Sequence, residues 1–218
     1  MAQMSMNRVI HSALRRDLGR FDVALVAFVE GDSRRAEQLW TAWVNFDEQL
    51  TTHHLGEHNI VWPTLRQLGM KEDLMTQWDH EHDELAGALR TAGDAMQELR
   101  RSPSATNAKS ARDAMARLNE VASKHLDHEE ADLEPFYLAR KDTPEIKAMN
   151  RKFRMKPPAA GTFFAWLQDG ASAEEVAGLK ENVPPPVVAA LTTLFGRSYR
   201  RTIAPVWRYM RENPRAGR

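Results

Sequence analysis

Thr52-His53-His54-Leu55-Gly56-Glu57-His58 lies late in a long segment of helical periodicity, and Lys124-His125-Leu126-Asp127-His128-Glu129-Glu130 echoes it. Each stretch contains His-x-x-x-Glu, at 53/57 and at 125/129. Four residues of α-helix turn through about 400°, so both side chains project from nearly one face. One imidazole nitrogen and up to two carboxylate oxygens then converge on a point, an arrangement suited to a borderline metal ion.

Outward from these motifs the chain reads as helix throughout its first two-thirds. Residues 7–30 place His11, Leu14, Leu18, Phe21, Leu25 and Phe28 at 3-4-3-4-3 spacing, the seam of a bundle helix. Gly31-Asp32-Ser33 breaks the pattern, with Ser33 as the expected N-cap. A second helix over 34–68 carries the seam Leu39, Trp43, Phe46, Leu50, His53, Glu57, Ile60 and Thr64, with Pro63 kinking or ending its last turn. A third, over 72–100, aligns Trp78, His82, Leu85 and Leu89, and a fourth, over 105–140, aligns Leu118, Val121, His125, Glu129 and Asp132. Four long amphipathic segments with short polar connections predict an all-α, up-down-up-down four-helix bundle over residues 1–140. Residues 141–218 hold more proline and short predicted helices near 144–155, 159–168, 173–181, 187–197 and towards 210. Phe163, Phe164, Trp166, Leu167, Leu191, Leu194, Phe195 and Trp207 are too apolar for a disordered tail, so this segment is expected to cap the bundle.

Six polar residues interrupt the seams: His11, His53, Glu57, His82, His125 and Glu129. His11 precedes Gly31 by 20 residues and His53 follows it by 22, so both lie roughly 30–33 Å from that turn at about 1.5 Å per residue. His53 and His82 lie roughly 24 and 20 Å from Gly69, and His82 and His125 roughly 31–33 Å from Pro103. All four helices therefore deliver an imidazole to one layer. A hydrogen-bonded polar core is the alternative, but two carboxylates buried without a cation are expensive. Six donors suit two adjacent metals, each Glu able to bridge both. Histidine and carboxylate without thiolate favour iron or manganese over zinc.

The whole chain holds 218 residues, with 30 Lys+Arg balancing 30 Asp+Glu and no cysteine. That balance offers no bulk attraction to nucleic acid or to a membrane, and the missing thiols exclude disulfides and thiolate ligands. Residues 141–218 carry 14 Lys/Arg against 7 Asp/Glu, so the cap is basic and the bundle acidic. Arg200-Arg201 and Arg151-Lys152 are expected to pair with that acidic bundle. No apolar run reaches the ~18–20 residues of a membrane span, and the N-terminus lacks a signal-peptide core, so a cytoplasmic setting is expected.

The combined pattern resembles the hemerythrin-like, or HHE cation-binding, family. It reads Ile10-His11, then His53 to Glu57 leading into Val61-Trp62-Pro63, then Glu81-His82-Asp83-Glu84-Leu85, then His125 to Glu129 leading into Leu133-Glu134-Pro135-Phe136. The resemblance covers about residues 7–140. It implies two iron ions bridged by oxo or hydroxo and by the two carboxylates, with manganese or zinc ranking behind. It also implies a small diatomic or peroxide ligand and an electron donor that the sequence does not name. Oxygen carriers of the family have a second His four residues after the helix-three ligand, where this chain has Ala86. His54, about 100° from the seam, is one candidate replacement, with Asp132, Tyr199 and Tyr209 as further donors. An open position suits reaction more than storage, so reaction with peroxide, nitric oxide or dioxygen is expected. A non-catalytic gas, redox or iron sensor, or an iron store, is the alternative. His80 should face solvent; His58 and His128 flank the carboxylates, and Glu130 could orient a ligand imidazole.

Overall fold

The computed structural model describes residues 4–155 and 160–212. Its four long helices are α1 (Met6–Val26), α2 (Ser33–Gly56), α4 (Glu72–Arg101) and α5 (Ala105–Leu138). Between α2 and α4 lie a π-helical turn, Glu57–Val61, and the short α3 (Trp62–Gln67). Then come α6 (Pro144–Met155), α7 (Ala160–Gln168), α8 (Ala173–Asn182), α9 (Pro185–Phe195), α10 (Arg197–Thr202) and α11 (Ala204–Glu212), and no strand occurs among the described residues.

Helix starts follow local capping chemistry. Ser5, Asp32 and Ser104 each accept from the backbone N–H three residues on, satisfying a donor that the first turn leaves orphaned. The cap of α2 is thus Asp32 rather than Ser33. Helix α1 stops at Val26, four residues short of the expected end, and Gly31 turns the chain at a φ of 81° that favours glycine. The Gly31 N–H donates to Pro103 O at 2.8 Å, which ties the first and last inter-helix turns together at one end of the bundle.

Pairings between helices fix their directions. Ser5 meets Glu134, Arg15 meets Asp127 and Arg112 meets Asp22, so α5 runs against α1. Glu37 meets Arg100 near one end of α2, and His54 stacks on His82 near the other, so α4 runs against α2. Each long helix contacts two others, α1 with α2 and α5, and α4 with α2 and α5.

The second predicted helix does not continue straight to residue 68. Pro63 has no N–H, and the Trp62 N–H bonds back to Glu57 O, five residues earlier. This π turn holds one residue more than an α turn. Burial accordingly moves from the expected Ile60 to Val61 and extends to Trp62 and Leu65, while Thr64 is buried as expected. The Asn59 side chain donates to Leu55 O at 2.8 Å and Thr64 Oγ1 donates to Ile60 O at 3.0 Å, two local bonds across the irregular turn.

Apolar side chains form two cores. The larger centres on Phe21, which packs edge-on against Trp43, Phe46 and Trp207. The smaller gathers Trp62, Leu65, Met75, Trp78, Leu133 and Ile146. Segments after residue 140 contribute to both: Trp166, Tyr199 and Trp207 join the larger, Ile146 and Met149 the smaller. Buried Asp17 accepts from Trp166 Nε1 at 2.8 Å, one polar link between α1 and α7. Helix α9 accounts for the segment expected as one helix over 187–197, and α10 follows it after Gly196.

Candidate metal centre

Between the two cores lies a layer of imidazoles and carboxylates. His11 comes from α1, His53 and His54 from the end of α2, Glu57 from the start of the π turn, His82 from α4, and His125 and Glu129 from α5. The side chains of His11, His125 and Glu129 have no exposure, while His82 keeps 13%. The equal-height arithmetic from the turns therefore ends in one place: all four seam imidazoles meet.

Ring nitrogens face one another in pairs. His11 Nε2 lies 3.2 Å from His53 Nε2, and His82 Nε2 lies 3.1 Å from His125 Nε2. Two ligands about 2.1 Å from a shared ion would be about 3.0 Å apart at right angles and about 3.4 Å apart at the tetrahedral angle. The observed separations fall inside that range.

Each carboxylate reaches both pairs. Glu57 Oε1 is 3.2 Å from His53 Nε2, and its Oε2 is 3.5 Å from His82 Nε2. Glu129 Oε2 is 3.3 Å from His11 Nε2, and its Oε1 is 3.7 Å from His125 Nε2. None of these contacts has hydrogen-bond alignment: all four carboxylate oxygens are buried and lack a hydrogen-bond partner. A buried, unpartnered carboxylate costs several kcal/mol unless a cation neutralises it. That orphaning is the test the residues pass as metal ligands. Two sets of donor atoms cluster within 4.8 Å, one of His11, His53, Glu57 and Glu129, the other of His54, Glu57, His82 and His125. Glu57 belongs to both.

Around this layer other residues hold the far ring nitrogens. His11 Nδ1 lies 3.0 Å from Glu130 Oε1, which also accepts from Arg15 at 2.5 Å. His125 Nδ1 lies 3.3 Å from Glu81 Oε2, and Glu81 Oε1 contacts His128 Nδ1 at 2.6 Å and accepts from Gln77 at 3.1 Å. With Nδ1 engaged outward, each ring presents Nε2 to the interior.

Burial dominates the electrostatics. It lowers His53 and His54 well below the usual imidazole range and His82 to about 4, with the neighbouring rings reinforcing the effect. Their nitrogens are therefore neutral donors at pH 7. Burial also draws His11 down, but Glu129 and Glu130 outweigh it and hold the ring above its ordinary value. Burial, then the adjacent Glu129, pushes Glu57 well up; Glu129 is lowered, because the surrounding imidazoles overcome its own desolvation. Without a cation, the two acids cannot both ionise cheaply.

A family model, the hemerythrin HHE cation-binding domain, matches residues 8–137. The chain belongs to that family. No curated protein and no solved structure matches it. The family match covers α1 to α5, the helices that carry every residue of the buried layer.

The structure places the other hemerythrin-like candidates apart. Asp132 is exposed rather than inward; burial on α5 continues from Glu129 to Leu133 and Glu134 instead. A seam drawn at alternating 3 and 4 spacing drifts from the true 3.6-residue repeat, and here the drift moves the inward face by one position. Tyr199 is buried in the larger core, where its hydroxyl donates to Asp169 Oδ2 at 3.2 Å, and burial raises its pKa; it joins neither donor set. The side chain of Tyr209 lies outside the described residues. His58 and His80 are exposed, and His128 touches Glu81. Glu81 was missed by the sequence reading. Its only signal is adjacency to His82, which turns it about 100° off the seam and towards α5.

Proposed function

We propose that this hemerythrin-like chain holds two metal ions, iron foremost, and uses them to react with a small oxidant: peroxide, nitric oxide or dioxygen. The observation that carries this reading is the set of four buried, unpartnered carboxylate oxygens facing two pairs of imidazole nitrogens. His11 and His53 would hold one ion and His82 and His125 the other, with Glu57 shared by both and Glu129 bound mainly at the first while reaching towards the second. Paired iron would supply reversible one-electron chemistry and coordination positions for a small ligand.

The chain's own contribution is placement, dryness and access. Glu130 and Glu81 orient His11 and His125 through their Nδ1 atoms. Apolar cores on either side lower the local dielectric and exclude bulk water. Exposure rises from none at His11 and His125 to 13% at His82, so the layer is least enclosed beside α4. Trp62 stacks on His82 with ring centroids 5.6 Å apart and narrows that side. No helix among the described residues is long and apolar enough to cross a membrane.

Stopped-flow mixing of anaerobically iron-loaded protein with peroxide, nitric oxide and dioxygen tests the reading. Oxidant consumption with product release supports it. Long-lived adducts without product would instead favour a sensor, and fewer than two irons per chain would remove the paired site.

A further inference from the structure

Ala86 stands one helical turn beyond His82 and is exposed, so α4 gives the centre a single imidazole. We propose that His54 on α2 supplies the missing one, binding the same divalent first-row transition ion as His82 and His125. This rests on the paired-ion reading above and goes further by assigning a fifth imidazole donor from a different helix.

Three observations carry it. A ring nitrogen of His54 clusters with donor atoms of Glu57, His82 and His125, all within 4.8 Å of one another. The Nε2 atom of His54 is buried and has no hydrogen-bond partner, a state that a side chain kept only for packing would not need. Finally, the ring stacks on His82 at 4.3 Å between centroids and meets His125 edge-on at 5.3 Å. His53 faces the other pair, with its Nε2 near His11. Adjacent residues on one helix point about 100° apart, so His53 and His54 can serve different ions while Glu57, one turn on, lies between them.

The two positions then differ. One is surrounded by three imidazoles and the other by two, with the carboxylates between. The position completed by His54 has fewer sites left for exogenous ligand, and losing that ring weakens one ion and not the other.

The test is cobalt(II) binding to the full-length chain, read by chelator competition and by the visible spectrum. Wild type is expected to bind two ions. His54→Ala is expected to keep one tightly and to bind the second about 100-fold or more weakly. His54→Gln, which keeps most of the side-chain volume, should behave alike, while His80→Ala should retain both ions. On the unmutated cobalt protein, proton resonances of exchangeable ligand imidazole N–H groups should number five. Two tightly bound ions in His54→Ala, or four such resonances in wild type, would overturn the assignment and leave the paired site standing. A wild-type chain that takes up fewer than two ions would overturn the paired-ion reading and this assignment together.

Discussion

The two His-x-x-x-Glu segments share a spacing but not a setting. At 125/129 the motif sits on a continuous α5, with Glu81 holding His125 from outside. At 53/57 it runs straight into a π turn, a second histidine follows the first, and Glu57 belongs to both donor sets. Four-residue spacing fixes that the two side chains share a face. What they do there depends on the neighbouring helix and on the backbone after the motif.

The most severe way to break this comparison is to edit the backbone after Glu57. Deleting Asn59 should convert the π turn to α-helix with the Trp62 N–H still closing on Glu57 O, so Val61, Trp62 and Leu65 keep their places on the smaller core. Inserting one alanine after Val61 should instead rotate Trp62 and Leu65 by about 100° off that core, and loss of the buried Trp62 alone predicts a stability drop of about 3 kcal/mol or more in urea denaturation. An insertion variant as stable as wild type would mean that the turn does not set that register.

Next in size is the contrast between the carboxylates. Glu57→Gln should weaken both ions by about 100-fold or more, whereas Glu129→Gln should weaken chiefly the His11/His53 position. In metal-free protein the order reverses: Glu57→Gln should raise the melting temperature at pH 7, because it removes an acid whose ionisation burial opposes. Equal losses in the two variants would erase the distinction between the motifs.

A smaller effect tests the imidazole supports. Glu81→Ala and Glu130→Ala should each cost about 10–100-fold in metal affinity while leaving the stoichiometry at two. Glu130→Ala should also leave Arg15 paired with Asp127 alone. If Glu81→Ala changed nothing, His125 would not depend on it.

The mildest prediction concerns pH. His53, His54 and His82 take up protons in the unfolded chain near pH 6.5 but not in the fold until lower pH, about 4 for His82. Their contribution to stability is therefore lost as pH falls from 6.5 towards 4. Glu57 and His11, both raised, oppose this slope. With three groups against two, the melting temperature of metal-free protein should be a few degrees lower at pH 5 than at pH 7. Glu57→Gln should steepen that fall, and an unchanged or shallower one would contradict the assignment.

Much of the bundle was legible because helical rise is constant: counting from Gly31, Gly69 and Pro103 sufficed to bring His11, His53, His82 and His125 to one level. The turn after Glu57 was not legible. Pro63 announces a disturbance, but a kink, a stop and an extra residue all satisfy its missing N–H. Asp132 was misplaced by extrapolating a seam past the point where its period holds. Glu81 and His54 share one lesson: both lie beside a seam residue, about 100° round the helix, and only the position of the neighbouring helix shows that they face inward.

The central claim is that the buried layer exists to hold paired cations. Its most direct test is the metal content of the full-length protein after anaerobic iron loading and removal of loose metal, with the melting temperature recorded before and after. The account predicts two irons per chain and a clear rise in melting temperature that a chelator reverses. Less than one iron per chain, with no change in melting temperature, would contradict it.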